Sequence, residues 1–288
     1  MHPVERPSAE RVARRAMVLS LMAYRASLEQ FAGEARYEAL RRRLAEWVKH
    51  LDLTGELEKD ESGFLRVPLG QADEQMRQDA SWRVEGLAVL AWALKRLELP
   101  LYDDQVNARD AMISIGFSEQ LLDTMDTAAT LTCLRKARLR PAAEIDAYAT
   151  HATLVNWRLR QFNLDGKRMK FGAYLRSHQS FKESWLGGLH FVAGDLALGS
   201  NSLGKAPAEH VAAFTSTAQE RQEAAYWLQG EDPIYSDVAA PTVLAGLGEG
   251  PLPTSALVVR WDCFRKAAAA YNRGLALTCT FRDFPRVS

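Results

Sequence analysis

Val84-Glu85-Gly86-Leu87-Ala88-Val89-Leu90-Ala91-Trp92-Ala93-Leu94 is the stretch that decides the fold of this chain. Apart from Glu85 it carries no charge, so wound as a helix it has no face suited to water. A helix that is hydrophobic all round is buried, either in a bilayer or at the centre of a sizeable protein. This stretch has about half the length a membrane span requires, so it belongs at the centre of a domain. The helix around it is predicted to begin near Ala72 and to run to about Leu97, ahead of Pro100. Into that apolar segment the sequence places a single carboxylate, Glu85, two residues after Arg83.

The neighbouring segments have the periodicity of helices with one buried face. Ser8 is placed to cap a first helix, whose stripe is Val12, Ala16, Leu19 and Ala23, with Arg11, Arg14, Arg15 and Arg25 off that stripe. A second helix follows Gly33 with Tyr37, Leu40, Leu44, Trp47 and Leu51 at spacings of three and four. Asp60-Glu61-Ser62-Gly63 breaks the pattern, and a short extended piece is expected from Phe64 to Val67. Residues 107–138 read as two short helices separated near Gly116. Pro141 then opens a strong helix with Ile145, Tyr148, Ala152, Val155 and Leu159 on its apolar face, ended by Asp165-Gly166. Further helices are predicted over 171–185 and 207–228. Between them, residues 189–199 form two short apolar runs about a Gly194-Asp195 turn, the pattern of a β-hairpin. After Thr242 the Gly- and Pro-rich stretch 246–253 reads as a link to a short appendage.

The expected fold is therefore mainly α, an irregular multi-helix globular domain over residues 8–242. It has one small β-hairpin and a C-terminal appendage at 243–288.

Composition narrows the function classes. Hydrophobic residues make up 47% and charged residues 25%, the balance of a folded globular chain. Net charge is zero, which disfavours nucleic acid as a partner even though Arg11, Arg14, Arg15 and Arg41-Arg42-Arg43 enrich the first fifty residues in cations. An acidic stretch follows, from Glu56 to Asp79. Both blocks read as solvated helix faces. Cys133, Cys263 and Cys279 are odd in number and widely spaced, the pattern of reduced thiols and not of a disulfide framework or a zinc site. The first residues lack the apolar core of a secretory signal, and no stretch is long enough to span a membrane, so a cytoplasmic location is expected.

Several motifs in order carry a resemblance. Arg11-Val12-Ala13-Arg14-Arg15-Ala16, Ser81-Trp82-Arg83-Val84-Glu85-Gly86-Leu87 with Leu90-Ala91-Trp92-Ala93-Leu94, and Leu139-Arg140-Pro141-Ala142-Ala143-Glu144-Ile145 resemble a bacterial family catalogued as domain of unknown function 4272. Gly194-Asp195-Leu196-Ala197-Leu198-Gly199, Glu220-Arg221 with Trp227-Leu228, and Tyr235-Ser236-Asp237-Val238 fit its longer members. The resemblance spans about residues 8–242 and implies a helical cytosolic domain, with no activity attached. The chain departs from the family pattern at Gln222, where His is usual, and at Pro241, where an acidic residue is usual before Thr242. If those positions serve a shared site, this copy lacks part of it.

Glu85 is the leading candidate for chemistry. An ionised carboxylate in a core must be paired, protonated or open to a cavity. Arg14, Arg15 and Arg140 are candidate partners in a buried polar network, which would fix helix register. In the catalytic alternative Glu85 acts as a general acid or base, with Arg83, Arg221 and Glu220 as further candidates and Trp82 and Trp92 as pocket walls. His178, His190 and Asp195 lack the spacing of a metal site. Gly246-Leu247-Gly248-Glu249-Gly250 follows no strong strand and opens no helix, so it is no phosphate loop, and no nucleophile elbow occurs. No cofactor and no metal are expected. The leading reading is a cytosolic helical interaction module without catalysis, its partner protein or small molecule unspecified. The alternative is an enzyme or small-ligand binder with a Trp- and Arg-lined pocket around Glu85.

Overall fold

A computed structural model describes residues 5–177 and 187–239. Among them are ten α-helices: α1 (Ala9–Ser27), α2 (Ala35–His50), α3 (Lys59–Arg66), α4 (Glu74–Ala93), α5 (Ala108–Ser114), α6 (Glu119–Thr124), α7 (Ala128–Arg135), α8 (Ala142–Asp165), α9 (Phe171–Ser177) and α10 (Ala208–Gln229). Three short strands, β1 (Phe191–Val192), β2 (Asp195–Leu198) and β3 (Asn201–Ser202), form an antiparallel sheet in the order β1-β2-β3. Mainly α architecture with a minor sheet is thus what the chain adopts. Among the described residues no helix is long and apolar enough to cross a membrane.

The segment that decided the fold lies at the centre. Residues 84–91 are all buried, because α4 is clasped by α1 on one side and α10 on the other, and α10 also packs on α8. Leu87 and Leu90 are wholly inaccessible, each worth about 1.5–3 kcal/mol of transfer free energy. The Asp73 side chain accepts from the Met76 N–H at the start of α4, and the Ser8 hydroxyl does the same for Arg11 at the start of α1, satisfying orphan donors of the first turn. A second apolar cluster gathers Leu154, Trp157 and Leu159 of α8, Phe171 and Leu175 of α9, and Leu196 and Leu198 of β2.

Several local expectations are corrected. Residues 59–66 form a helix where a break and an extended piece were expected. Glu58 and Glu61 make a reciprocal capping box there: each side chain accepts from the backbone N–H of the other. That arrangement overrides the helix-weakening Gly63. Residues 107–138 hold three helices, not two. The tip of the hairpin is Ala193-Gly194, both at positive φ, while Asp195 opens β2. A third strand extends the pair. The remainder of the helix expected over 171–185, with His178 and Trp185, lies outside the described residues, as do Pro241, Thr242 and the appendage.

Candidate functional site

Glu85 is 1% exposed and pairs with Arg221, a candidate from the Glu220-Arg221 motif, and not with Arg14, Arg15 or Arg140. Arg221 of α10 donates through Nε at 2.9 Å to Glu85 Oε2, with its Nη2 in ion-pair contact with the same oxygen at 2.8 Å. Glu85 Oε1 accepts from the Val106 N–H at 3.1 Å. The remaining guanidinium donors of Arg221 go to the carbonyls of Leu101, at 3.0 Å, and Asp104, at 2.7 Å. One helical step away, Arg83 bonds Glu220 at 3.3 Å and lies 3.8 Å from Glu223. The Arg-x-Glu of α4 thus meets the Glu-Arg of α10 in two reciprocal pairs. A slip of either helix by one residue would set like charges against each other, so the pairs fix the α4–α10 register and tie down the loop 101–106. Burial alone would lower the Arg83 pKa, but the carboxylates of Glu220 and Glu223 more than offset it and raise it.

The rest of the predicted network is dispersed. Arg14 lies at the surface with Glu10 and the Asp52 backbone carbonyl. Arg140 pairs with Glu98 and Glu144, donates to the Trp92 carbonyl and stacks over the Trp92 ring. Trp82 is half-buried on α4. Arg15, by contrast, is 1% exposed and grips Glu61 with both terminal nitrogens, at 2.5 and 2.9 Å, with Glu58 at 3.3 Å.

Burial of arginine is a theme that periodicity did not reveal. Arg15, a candidate for a buried polar network, is buried, and so are Arg25, which lies off the apolar stripe of α1, and Arg41, expected on a solvated face. Arg25 bonds Glu29 and the Val67 carbonyl, and Arg41 bonds Glu38 and the Leu65 carbonyl, so the C-terminal carbonyls of α3 are capped by guanidinium groups from two other helices. Arg158 and Asp195 form a fourth such pair, with Nε–Oδ1 at 2.7 Å and Nη2–Oδ2 at 2.6 Å. Asp195 also accepts from the N–H groups of Leu196 and Met169. This carboxylate therefore anchors the hairpin to α8. Among the described residues no group of His, Cys, Asp and Glu could hold a metal ion.

A cleft of about 790 Å³ opens elsewhere, bounded by α1, the start of α3, the first half of α4 and residues 233–237. The apolar side chains its wall leaves accessible are Leu57, Met76, Pro233 and Ile234, while Met22, Phe64 and Trp227 also line it but are buried. Its three arginines are committed: Arg15 and Arg83 as described, and Arg11 to the Pro233 carbonyl and Glu56, with its guanidinium over Trp227. At the edge stand Asp60, Asp73 and Asp237, all exposed, with Lys59 beside them. Carboxylates outnumber cations in the lining as a whole. Tyr235 is 1% exposed and sits between the guanidinium groups of Arg15, at 4.6 Å, and Arg83, at 5.3 Å. Burial pushes its hydroxyl well above the usual tyrosine range. Glu85, Trp82 and Trp92 do not line this cleft.

A second hollow, of about 30 Å³, touches Arg221, Tyr102, Tyr148 and His151. It is room for little more than a water molecule. Burial pushes the Tyr148 hydroxyl up to about 12. Gln222, read in the sequence as a departure from the family pattern, is fully buried and accepts from Asn156 of α8 at 2.5 Å. Its neighbour in that contact is Thr153, bonded in turn to Tyr226. The position therefore belongs to a closed polar cluster between α8 and α10. The cleft itself escaped sequence reasoning because its walls come from segments as far apart as Arg11 and Asp237. Its one legible signal was the acidic stretch from Glu56 to Asp79.

A family described as Domain of unknown function (DUF4272) matches residues 2–176. No curated protein and no solved structure matches the chain. The matched segment holds Glu85 and Arg83 but stops short of α10, which supplies their partners.

Proposed function

From the premise that the chain belongs to the DUF4272 family, whose description assigns no activity, we propose that it is a non-catalytic interaction module. Its cleft receives a basic, aromatic-containing segment of a partner protein. The carrying observation is the division of charge in that cleft. Its arginines are consumed internally, while Asp60, Asp73 and Asp237 present carboxylates to solvent above an apolar wall. Such a surface attracts cations electrostatically and offers an apolar seat for the side chains between them. The volume lies in the range of sites that take a drug-sized ligand, or a few side chains of an anchor peptide.

Catalysis gains no such support. Glu85 and Arg221 spend their hydrogen bonds on each other and on backbone groups, and Arg83 and Glu220 are paired in turn. An acid or base needs access to a substrate proton, and the main cleft leaves Glu85 outside its lining.

The test is titration of the full chain with a fluorescent peptide containing Lys, Arg, Phe and Trp, against an acidic peptide of equal length. The triple variant Asp60→Asn, Asp73→Asn, Asp237→Asn removes the rim charge and keeps a good capping side chain at the start of α4. Three exposed pairs at about 0.2–1 kcal/mol each predict affinity about tenfold weaker in the variant. The preference for the basic peptide should also diminish at high salt. Equal affinity for the two peptides, or no effect of the triple variant, overturns the proposal.

A further inference from the structure

The cleft is next to the point where the described chain ends. Residues 233–237 form one of its walls, Val238 is buried beside them, and the chain continues from there into residues 240–288. Those residues carry Arg260, Arg265, Lys266, Arg273, Arg282 and Arg286 against Glu249, Asp262 and Asp283, so they are net basic while the cleft is net acidic. Within them, Trp261-Asp262-Cys263-Phe264-Arg265-Lys266 places two aromatic side chains next to three cations, counting the preceding Arg260. That is the chemistry the cleft selects on the reading above, aromatic groups for the accessible apolar lining of Leu57, Met76 and Ile234 and cations for the carboxylate rim.

We propose that residues 260–266 dock in the acidic cleft of their own chain, so that the chain's C-terminal segment and a partner's basic segment compete for one site. The inference rests on the proposed function of the cleft and names its first occupant. Reach is no obstacle. The residues between Ala239 and Arg260 span roughly 70 Å when fully extended, at about 3.3–3.6 Å per residue. Tethering to the cleft wall gives the segment an effective concentration on the order of millimolar. A partner peptide of equal intrinsic affinity, present at micromolar concentration, therefore meets an occupied cleft. A partner succeeds by binding more tightly or by holding the C-terminal segment elsewhere, and either route makes the module switchable.

The experiment compares the full chain with the full-length variant Arg260→Gln, Arg265→Gln, Lys266→Gln, titrating each with the fluorescent basic-aromatic peptide. Its second readout is carbodiimide coupling of the unsubstituted full chain, followed by mass spectrometry of Lys266 cross-links. The expected result is at least tenfold tighter peptide binding by the variant, with Lys266 joined to Asp60, Asp73 or Asp237. Equal, measurable binding by both chains overturns the docking of the segment and leaves the cleft reading in place. Binding by neither chain overturns the cleft reading and this inference with it. Lys266 cross-links directed only to carboxylates away from the cleft overturn the docking alone.

Discussion

Substituting Glu85→Gln tests the structural role of the central pair directly. The side chain keeps its shape, so the change removes charge and one acceptor, not volume. In the parent, one carboxylate oxygen takes the Arg221 Nε–H and the nearby Nη2 charge, and the other takes the Val106 N–H. The amide retains a single accepting oxygen and turns an NH₂ group toward a donor. Arg221 is then left with the carbonyls of Leu101 and Asp104 but no counter-charge, at a site where both side chains are at most 5% exposed. Removing one member of a buried pair costs about 3–5 kcal/mol. Because one acceptor survives, we expect the lower end, about 3 kcal/mol. For a domain of this size that lowers Tm by about 6–12 °C. The assay is urea unfolding of the full chain followed by circular dichroism, with Arg221→Gln and the double variant completing a cycle. The two substitutions should be non-additive, with a coupling of about 1–3 kcal/mol. A Glu85→Gln protein within about 0.5 kcal/mol of the parent, the usual range for a surface site, would refute the sealed pair and return Glu85 to consideration as a chemical group.

Two other measurements probe the packing and the pH response. Gly86→Ala should destabilise, although a helix interior usually gains about 1 kcal/mol from that change, because the new methyl group meets the Tyr235 hydroxyl and lies near Leu19. Tyr235→Phe removes a buried hydroxyl without a hydrogen-bond partner, so it should be neutral or stabilising and should relieve part of the Gly86→Ala defect; a loss above about 1 kcal/mol in Tyr235→Phe alone contradicts this. Glu38 is held below the usual carboxylate range by its hydrogen bond from Arg41, helped by the Leu69 N–H. A depressed carboxylate contributes stability that is present above its unfolded pKa and lost as pH falls through the folded one. The stability gap between the parent and Glu38→Gln, measured by denaturant unfolding from neutral to strongly acidic pH, should therefore be full near pH 7 and shrink once pH drops below about 4.3. A gap unchanged across that range refutes the ionic role.

What the sequence determined by itself was the architecture and its centre. The apolar run from Val84 to Leu94, broken only by Glu85, with stripes at helical spacing on the flanking segments, leaves few options, because hydrophobic burial is non-directional and its period can be read from one strand of text. It also marked Glu85 as a carboxylate that had to be paired, protonated or open to a cavity. The partner was decided only by tertiary structure: Arg221 is 136 residues away, and directional bonds between distant segments leave no local trace. The same reason hid the burial of Arg25 and Arg41, since an arginine beside an apolar stripe looks identical whether its guanidinium meets water or another helix's carbonyls. Local capping at Glu58 and Glu61 outweighed Gly63 in a way that only the closed hydrogen-bond pattern shows. The cleft, finally, is a void, and a void belongs to no segment. It exists because α1, α3, α4 and residues 233–237 converge without filling the space between them.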